Sequence, residues 1–209
     1  MGAIVDSVRY WLAVVLVASM PVGLVYWFIV HPFIAFWRRV GVVKTYVVLS
    51  IVGVAMIAGL FLVRDALLGT DFGTNWWLIG LALAVEAVAV VLYLQRKKHL
   101  DNKQLSGLQE LDPSREDNRL LTQGPYGVIR HPRYVEVVLA VLAYALFSNY
   151  LGAYGIWVLT VVCIVLIVPL EERELEERFG EEYRRYRERV PAFFWWTRPK
   201  PPSGSRPPE

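Results

Sequence analysis

Three stretches of this chain, at about residues 10–30, 42–63 and 76–94, are almost unbroken runs of apolar side chains. An α-helix rises about 1.5 Å per residue and the hydrocarbon core of a bilayer is about 30 Å thick, so roughly 20 apolar residues make one crossing. In lipid, backbone N–H and C=O groups must pair within the segment, which leaves a helix as the conformation for each run. The runs therefore restrict the chain to an all-α integral membrane protein more firmly than any local motif does. Two further runs follow. Residues 135–147 are apolar for about 13 positions, about 20 Å of helix, and residues 153–170 make a longer run. Between them, Ser148-Asn149-Tyr150-Leu151-Gly152 reads as a tight turn. The expectation is five transmembrane helices, the last two forming a helical hairpin whose first member is short or incompletely spanning.

Charge in the short loops predicts orientation, because basic loops stay in the cytoplasm. Arg38, Arg39 and Lys44 fall between the first two runs, and Arg96, Lys97 and Lys98 follow the third. The opposite side has Asp6 and Arg9, then Arg64, Asp65 and Asp71, and an uncharged hairpin turn. The N-terminus is thus expected outside, and the C-terminus inside, a multi-pass cell-membrane protein. Trp27, Trp37, Trp76 and Trp77 lie near run ends, as interfacial anchors do. Hydrophobic residues make up 56% of the 209 positions, against about 45–50% in soluble domains. No cleavable signal peptide is expected, since the first run is too long and lacks a small-residue cleavage site. The one cysteine, Cys163, excludes a disulfide framework and reads as a small buried hydrophobe. His31 and His99 sit at run ends and read as interfacial. With three scattered histidines no metal site is predicted.

Beyond residue 170 the segment "EERELEERFGEEYRRYRERV" carries Leu175, Phe179, Tyr183, Tyr186 and Val190 at steps of four, four, three and four. That is one face of an amphipathic cytoplasmic helix, with Gly180 as a weak point and a candidate bend. Glu171 and Glu172 precede Leu175 by four and three positions, so at least one faces the apolar side. A carboxylate turned toward protein at a membrane boundary is costly unless it is paired or used; water or Arg130 is the structural alternative. Residues 1–196 read as one domain. The tail, residues 197–209, is rich in Pro, Ser and Gly and is expected to be disordered.

The stretch "GPYGVIRHPRY", residues 124–134, does not match its apolar surroundings. Its basic residues fit the cytoplasmic end of a span, and Pro132 suits the first turn of a helix. Yet Gly124-Pro125 forces a turn where backbone can approach a ligand closely. His131, Tyr126 and Tyr134 bring donors, acceptors and rings into one small volume.

These residues carry a resemblance. "GPYGVIRHPRY", followed about 37 residues later by "EERELEERFGEEYRRYRERVP", resembles the signature of the isoprenylcysteine carboxyl methyltransferase and phospholipid methyltransferase membrane superfamily. The likeness covers about residues 121–191 and is specific because both halves occur in order around a helical hairpin. It implies an S-adenosylmethionine-dependent methyltransferase without the Rossmann fold, and no G-x-G-x-x-G follows a strand pattern here. The implied cofactor-binding residues are Gln123, Gly124, Pro125, Tyr126, Arg130, His131, Pro132 and Tyr134 on one side, with Glu171 and Glu172 on the other. Glu172, His131 and Arg130 form the implied catalytic set. The cofactor site would face the cytoplasm, and a lipophilic or prenylated acceptor would arrive laterally among the membrane lipids. No nucleic-acid partner is expected. The chemistry is compatible with the residues, because methyl transfer from a sulfonium depends mainly on alignment, and carboxylates, cations and aromatic faces suit the donor's charged groups.

Two departures from the family pattern stand out. Glu136 occupies a position, two after Tyr134, where glycine is usual; it either points into the pocket or pairs with an arginine such as Arg130 or Arg133. Carboxyl methyltransferase relatives also carry an arginine about one turn before the glutamate pair, where this chain has Val165-Leu166-Ile167-Val168. An isoprenylcysteine carboxyl methyltransferase-like enzyme is the leading expectation, with a phospholipid or amine N-methyltransferase as the alternative. A membrane sterol-type reductase using NADPH and a non-enzymatic scaffold are the remaining classes.

Overall fold

A computed structural model describes residues 2–30, 32–98 and 120–193. Its helices are α1 (Gly2–Val30), α2 (Ile34–Val40), α3 (Val42–Leu62), α4 (Arg64–Leu68), α5 (Trp76–Lys97), α6 (Pro132–Ser148), α7 (Leu151–Phe179) and α8 (Glu181–Arg189), with a 3₁₀ turn at Gly124–Gly127. No strand occurs among the described residues; the one isolated bridge joins Asp71 to Tyr150. His31, His99, most of the loop after Lys98 and the tail from Thr197 lie outside the described residues.

Four helices, α1, α3, α5 and α7, are long and apolar enough to cross a membrane, and the protein is an integral membrane protein. The fourth expected run is α6, whose 17 residues make about 25 Å of helix. Pro132 starts it at a position where a missing N–H costs nothing. Asn149 ends it in the left-handed conformation, φ 57°, a residue type that tolerates this turn. The hairpin between α6 and α7 thus forms where the sequence places it.

The centre of the bundle is the meeting of α1, α6 and α7. Ala13, Val14, Leu16 and Val17 of α1 pack on Val141 and Ala145 of α6 and Ala153 of α7. Alanines at these positions let the helices approach closely, the usual mode of helix association in lipid. Helix α3 leans on α1, and α5 packs chiefly along α6 and against the Gly124–Gly127 turn. Elsewhere the long helices present apolar side chains outward, among them Val43, Ile51 and Leu62 of α3 and Leu83, Val88 and Leu94 of α5. These are the surfaces that lipid covers.

One end of the bundle is closed by a polar knot. Arg9 of α1 is 1% exposed, donates to Asp6 at 3.2 Å and Thr74 at 3.1 Å, and reaches Asp71 at 2.5 Å. Asn149 donates to the Gly73 carbonyl, so α1, the 69–75 loop and the hairpin turn are tied together. Gly152 is required there: a Cβ would stand 1.9 Å from the Leu67 carbonyl oxygen.

Two expectations are corrected. The run ending at Leu170 does not stop before the charged segment; α7 continues through Glu171 and Glu172 to Phe179. The anticipated single amphipathic helix is therefore two pieces, broken at Gly180, which adopts φ 55°. Its five stripe residues nevertheless meet in one cluster, Tyr183, Tyr186 and Val190 with Leu175 and Phe179, because α8 folds back on the end of α7. Trp27, half-buried, packs edge-on to Tyr134, ring centroids 5.3 Å apart, against a buried cluster.

Candidate functional site

The motif builds its own shape. Gly124 takes a left-handed φ of 60°, and Tyr126 N donates to the Gln123 carbonyl at 3.2 Å. The carbonyl of buried Pro125 accepts from Val128 N and Ile129 N at 3.1 and 3.0 Å. The chain then straightens. Arg130 N and His131 N donate to the carbonyls of Pro191 and Ala192 at 2.8 and 3.0 Å. The segment after α8 therefore lies along the motif, and the two motif halves of the sequence become one object.

At its centre sits Glu172. One of its oxygens, Oε1, accepts from Arg130 Nη2 at 2.7 Å and Arg130 Nε at 3.0 Å, and lies 3.0 Å from His131 Nε2. Arg130 is 7% exposed and His131 4%, so these are charge-assisted bonds shielded from water. Arg130 Nη1 donates to the Arg187 carbonyl at 3.1 Å and to the Val190 carbonyl. All three of its nitrogens are thus engaged, linking the motif, the end of α7 and the end of α8. The His131 ring lies 5.7 Å from those of both Tyr134 and Phe193, which fixes its plane.

Glu171 is placed differently. Its Oε2 stands 3.7 Å from His131 Nδ1, is buried, and has no hydrogen-bond partner among the described residues. The hydroxyl of Tyr183, a residue 1% exposed, is in the same condition. Burial first, and then the charge of Glu172, hold the Tyr183 phenol above its ordinary range, so it stays a neutral donor. Tyr186 is raised by burial as well and donates to the Tyr126 carbonyl at 2.6 Å. Tyr126 is also pushed up by burial. A buried carboxylate oxygen and a buried phenol without partners are costly in isolation. Together they suit a ligand that brings N–H and O–H groups of its own.

The fold brings Tyr126, Arg130, His131, Glu171 and Glu172 together. Gln123 and Gly124 stand exposed on the rim, while Pro125, Pro132 and Tyr134 are buried behind it. Glu136 pairs with neither Arg130 nor Arg133 in the described contacts. It meets Arg96 of α5, with Nε–Oε2 at 3.0 Å and Nη2–Oε1 at 3.3 Å. Arg96 reads in sequence as one more cytoplasmic charge, and only the pairing of α5 with α6 reveals its partner. Tyr183 reads as part of an apolar stripe, yet its hydroxyl faces the charged groups. Glu86 lies in the middle of α5 with one buried oxygen unpartnered among the described residues. A carboxylate within an apolar run was signal enough to find it.

Comparison with known proteins agrees with the motifs. A family model described as phospholipid methyltransferase matches residues 77–182, just over half of the chain. Methanethiol S-methyltransferase 1 of Bradyrhizobium diazoefficiens is 33% identical over 90 residues, covering 43% of this chain and 30% of the relative. Cobalt-zinc-cadmium resistance protein CzcN of Cupriavidus metallidurans is 33% identical over 81 residues, 38% of this chain and 37% of that protein. Protein-S-isoprenylcysteine O-methyltransferase B of Arabidopsis thaliana is 27% identical over 120 residues, 56% and 59% of the two chains. The chain thus spans between about a third and three fifths of the length of these curated relatives. No solved structure matches. The matched span contains α5, the Gly124–Gly127 turn, the hairpin and the Glu171–Glu172 pair, so the chain belongs to the phospholipid methyltransferase family.

Proposed function

We propose that the protein is an S-adenosylmethionine-dependent methyltransferase acting on a lipophilic acceptor drawn from the bilayer. The observation that carries this is the buried Arg130–Glu172–His131 cluster with two unfilled polar atoms beside it, Glu171 Oε2 and Tyr183 Oη. When bound, S-adenosylmethionine supplies an electrophilic methyl group on a sulfonium. Its ammonium and ribose hydroxyls are the donors that the two unfilled atoms call for, so the residues present fit the group. Glu171 and Tyr183 would hold it, with Tyr126 and the Gly124–Gly127 turn on the opposite wall.

The roles of the chain's own residues follow from their contacts. Glu172, with its Oε1 committed to Arg130 and His131, orients the histidine and joins the two motif halves. His131 Nε2 carries its proton toward Glu172, since a carboxylate only accepts, and Nδ1 faces Glu171. The clustered rings of Tyr134, Phe193 and Trp27 exclude water on the membrane side. We place α6 as a fifth span, the motif end in the cytoplasm and the N-terminus outside, in keeping with the basic loops.

The acceptor reading closest to the motifs is a protein-S-isoprenylcysteine carboxylate, the substrate named for the Arabidopsis relative. A second reading, a phospholipid or other amine, is favoured by the engagement of all three Arg130 nitrogens with groups of the protein itself. A protonated amine must lose a proton before it attacks, and the Glu171 carboxylate, beside His131, is a base that would receive it. Incubation of membranes containing the protein with methyl-labelled S-adenosylmethionine tests both. Lipophilic label that mild base releases as volatile methanol means a methyl ester, and label that stays non-volatile after base means N-methylation or S-methylation of a lipid. No incorporation above membranes lacking the protein would contradict the proposal.

A further inference from the structure

The contact between Arg96 and Glu136 has no counterpart in the roles assigned so far. Arg96 is the last buried residue of α5 and its side chain is 6% exposed, that of Glu136 16%. The two groups lie fork to fork, Nε–Oε2 3.0 Å and Nη2–Oε1 3.3 Å, across 40 residues of chain. A buried pair of this kind is weak evidence for stability, because desolvating both charges offsets their attraction. Its position is more telling. Helix α5 packs against the Gly124–Gly127 turn as well as against α6. The Arg96 guanidinium also interacts with the Tyr126 phenol, and the Tyr126 carbonyl is held from the other side by Tyr186 at 2.6 Å. Arg96 therefore stands where α5, α6 and the turn converge.

We propose that Arg96, oriented by Glu136, is a positioning residue that fixes the Gly124–Gly127 turn and the Tyr126 side chain, and so sets how tightly the methyl donor is held. The consequence for donor affinity rests on the function proposed above, whereas the effect on the turn does not. Arginine suits the task because its planar fork can grip a carboxylate and still present an N–H to a third group.

The test uses the full chain in detergent, with S-adenosylhomocysteine affinity, melting temperature and hydrogen exchange of the 126–129 amides without ligand as three readouts. In R96M/E136L an apolar pair replaces the ions, and the melting temperature should stay near that of the wild type. Affinity should nonetheless fall about tenfold, the scale of one lost charge-assisted bond, and the turn amides should exchange at least about tenfold faster. Recovery of wild-type affinity and turn protection in this variant would overturn the proposal and leave the pair a simple tie between α5 and α6. R96K covers the case in which the double variant does not fold. It keeps a cation for Glu136 but loses the fork, and is expected to weaken binding and turn protection with little change in melting temperature. Wild-type behaviour of R96K in both would equally overturn it. Should the wild type itself bind no S-adenosylhomocysteine, the methyltransferase reading fails, and the exchange rates still decide what Arg96 does.

Discussion

Replacing Glu172 by alanine should be among the most damaging single changes in the chain. Its Oε1 is the common acceptor for Arg130 Nη2 at 2.7 Å, Arg130 Nε at 3.0 Å and His131 Nε2 at 3.0 Å. Both partners are buried, at 7% and 4% exposure, and water cannot replace the lost carboxylate without opening the cluster. The backbone carbonyls of Arg187 and Val190 would remain the only acceptors near the guanidinium among its described contacts. Removing one member of a buried ion pair typically costs about 3–5 kcal/mol, mostly from the stranded charge. For a chain of about 200 residues 1 kcal/mol corresponds to roughly 2–4 °C, so Glu172→Ala should melt about 6–20 °C lower in detergent. The companion variant Arg130→Met/Glu172→Leu removes both charges and should recover most of that loss. S-adenosylhomocysteine binding should not return with it, since His131 has lost its orienting partner. A melting temperature for Glu172→Ala within 2–3 °C of the wild type, about 1 kcal/mol or less, would refute the reasoning. So would strict additivity of the Arg130 and Glu172 effects, because residues in contact must couple.

Other consequences are open to direct checks. Gly152→Ala puts a methyl group 1.9 Å from the Leu67 carbonyl oxygen, so α4 must separate from α7 and stability should fall by about 2–3 kcal/mol, on the scale of overpacked cores, read as a lower thermal midpoint. Arg9→Ala removes the buried side chain that ties Asp6, Asp71 and Thr74 together, but both carboxylates are about half exposed and can turn to water; a loss of only about 1 kcal/mol is expected, with donor affinity unchanged. Tyr186→Phe deletes the 2.6 Å bond to the Tyr126 carbonyl and should cost about 1–2 kcal/mol, visible as faster exchange in the turn. Glu86→Leu removes a carboxylate from mid-span and should raise the melting temperature, because ionisable groups in lipid are expensive; a lower one would mean that Glu86 has a partner worth more than its desolvation.

The sequence carries the membrane helices plainly, since lipid leaves an apolar backbone segment one conformation and roughly one length. It also carries the hairpin, because Pro132 and Asn149 punctuate the backbone by local sterics alone. The break at Gly180 was legible as a weakness but not as a reversal. Whether a glycine bends a helix or folds it back depends on what the far side packs against, here Tyr183 and Tyr186 against Leu175 and Phe179. Pairings across the chain were the least legible. Glu172 could be assigned to Arg130 because the motif halves suggest each other. Nothing local joins Glu136 to Arg96, whose neighbouring Lys97 and Lys98 have the same loop charge. Trp27 illustrates the same limit, since its packing on Tyr134 is a pairing that no local sequence signal carries.

The account's central claim is that the cluster around Glu172, with the open atoms of Glu171 and Tyr183 beside it, is a methyl-donor site. Calorimetric titration of the detergent-purified protein with S-adenosylhomocysteine, and with NADPH in parallel, tests it most directly. The account predicts saturable one-to-one binding of S-adenosylhomocysteine alone, abolished in Glu171→Ala while the fold persists. Binding of NADPH alone, or of neither ligand, would contradict it.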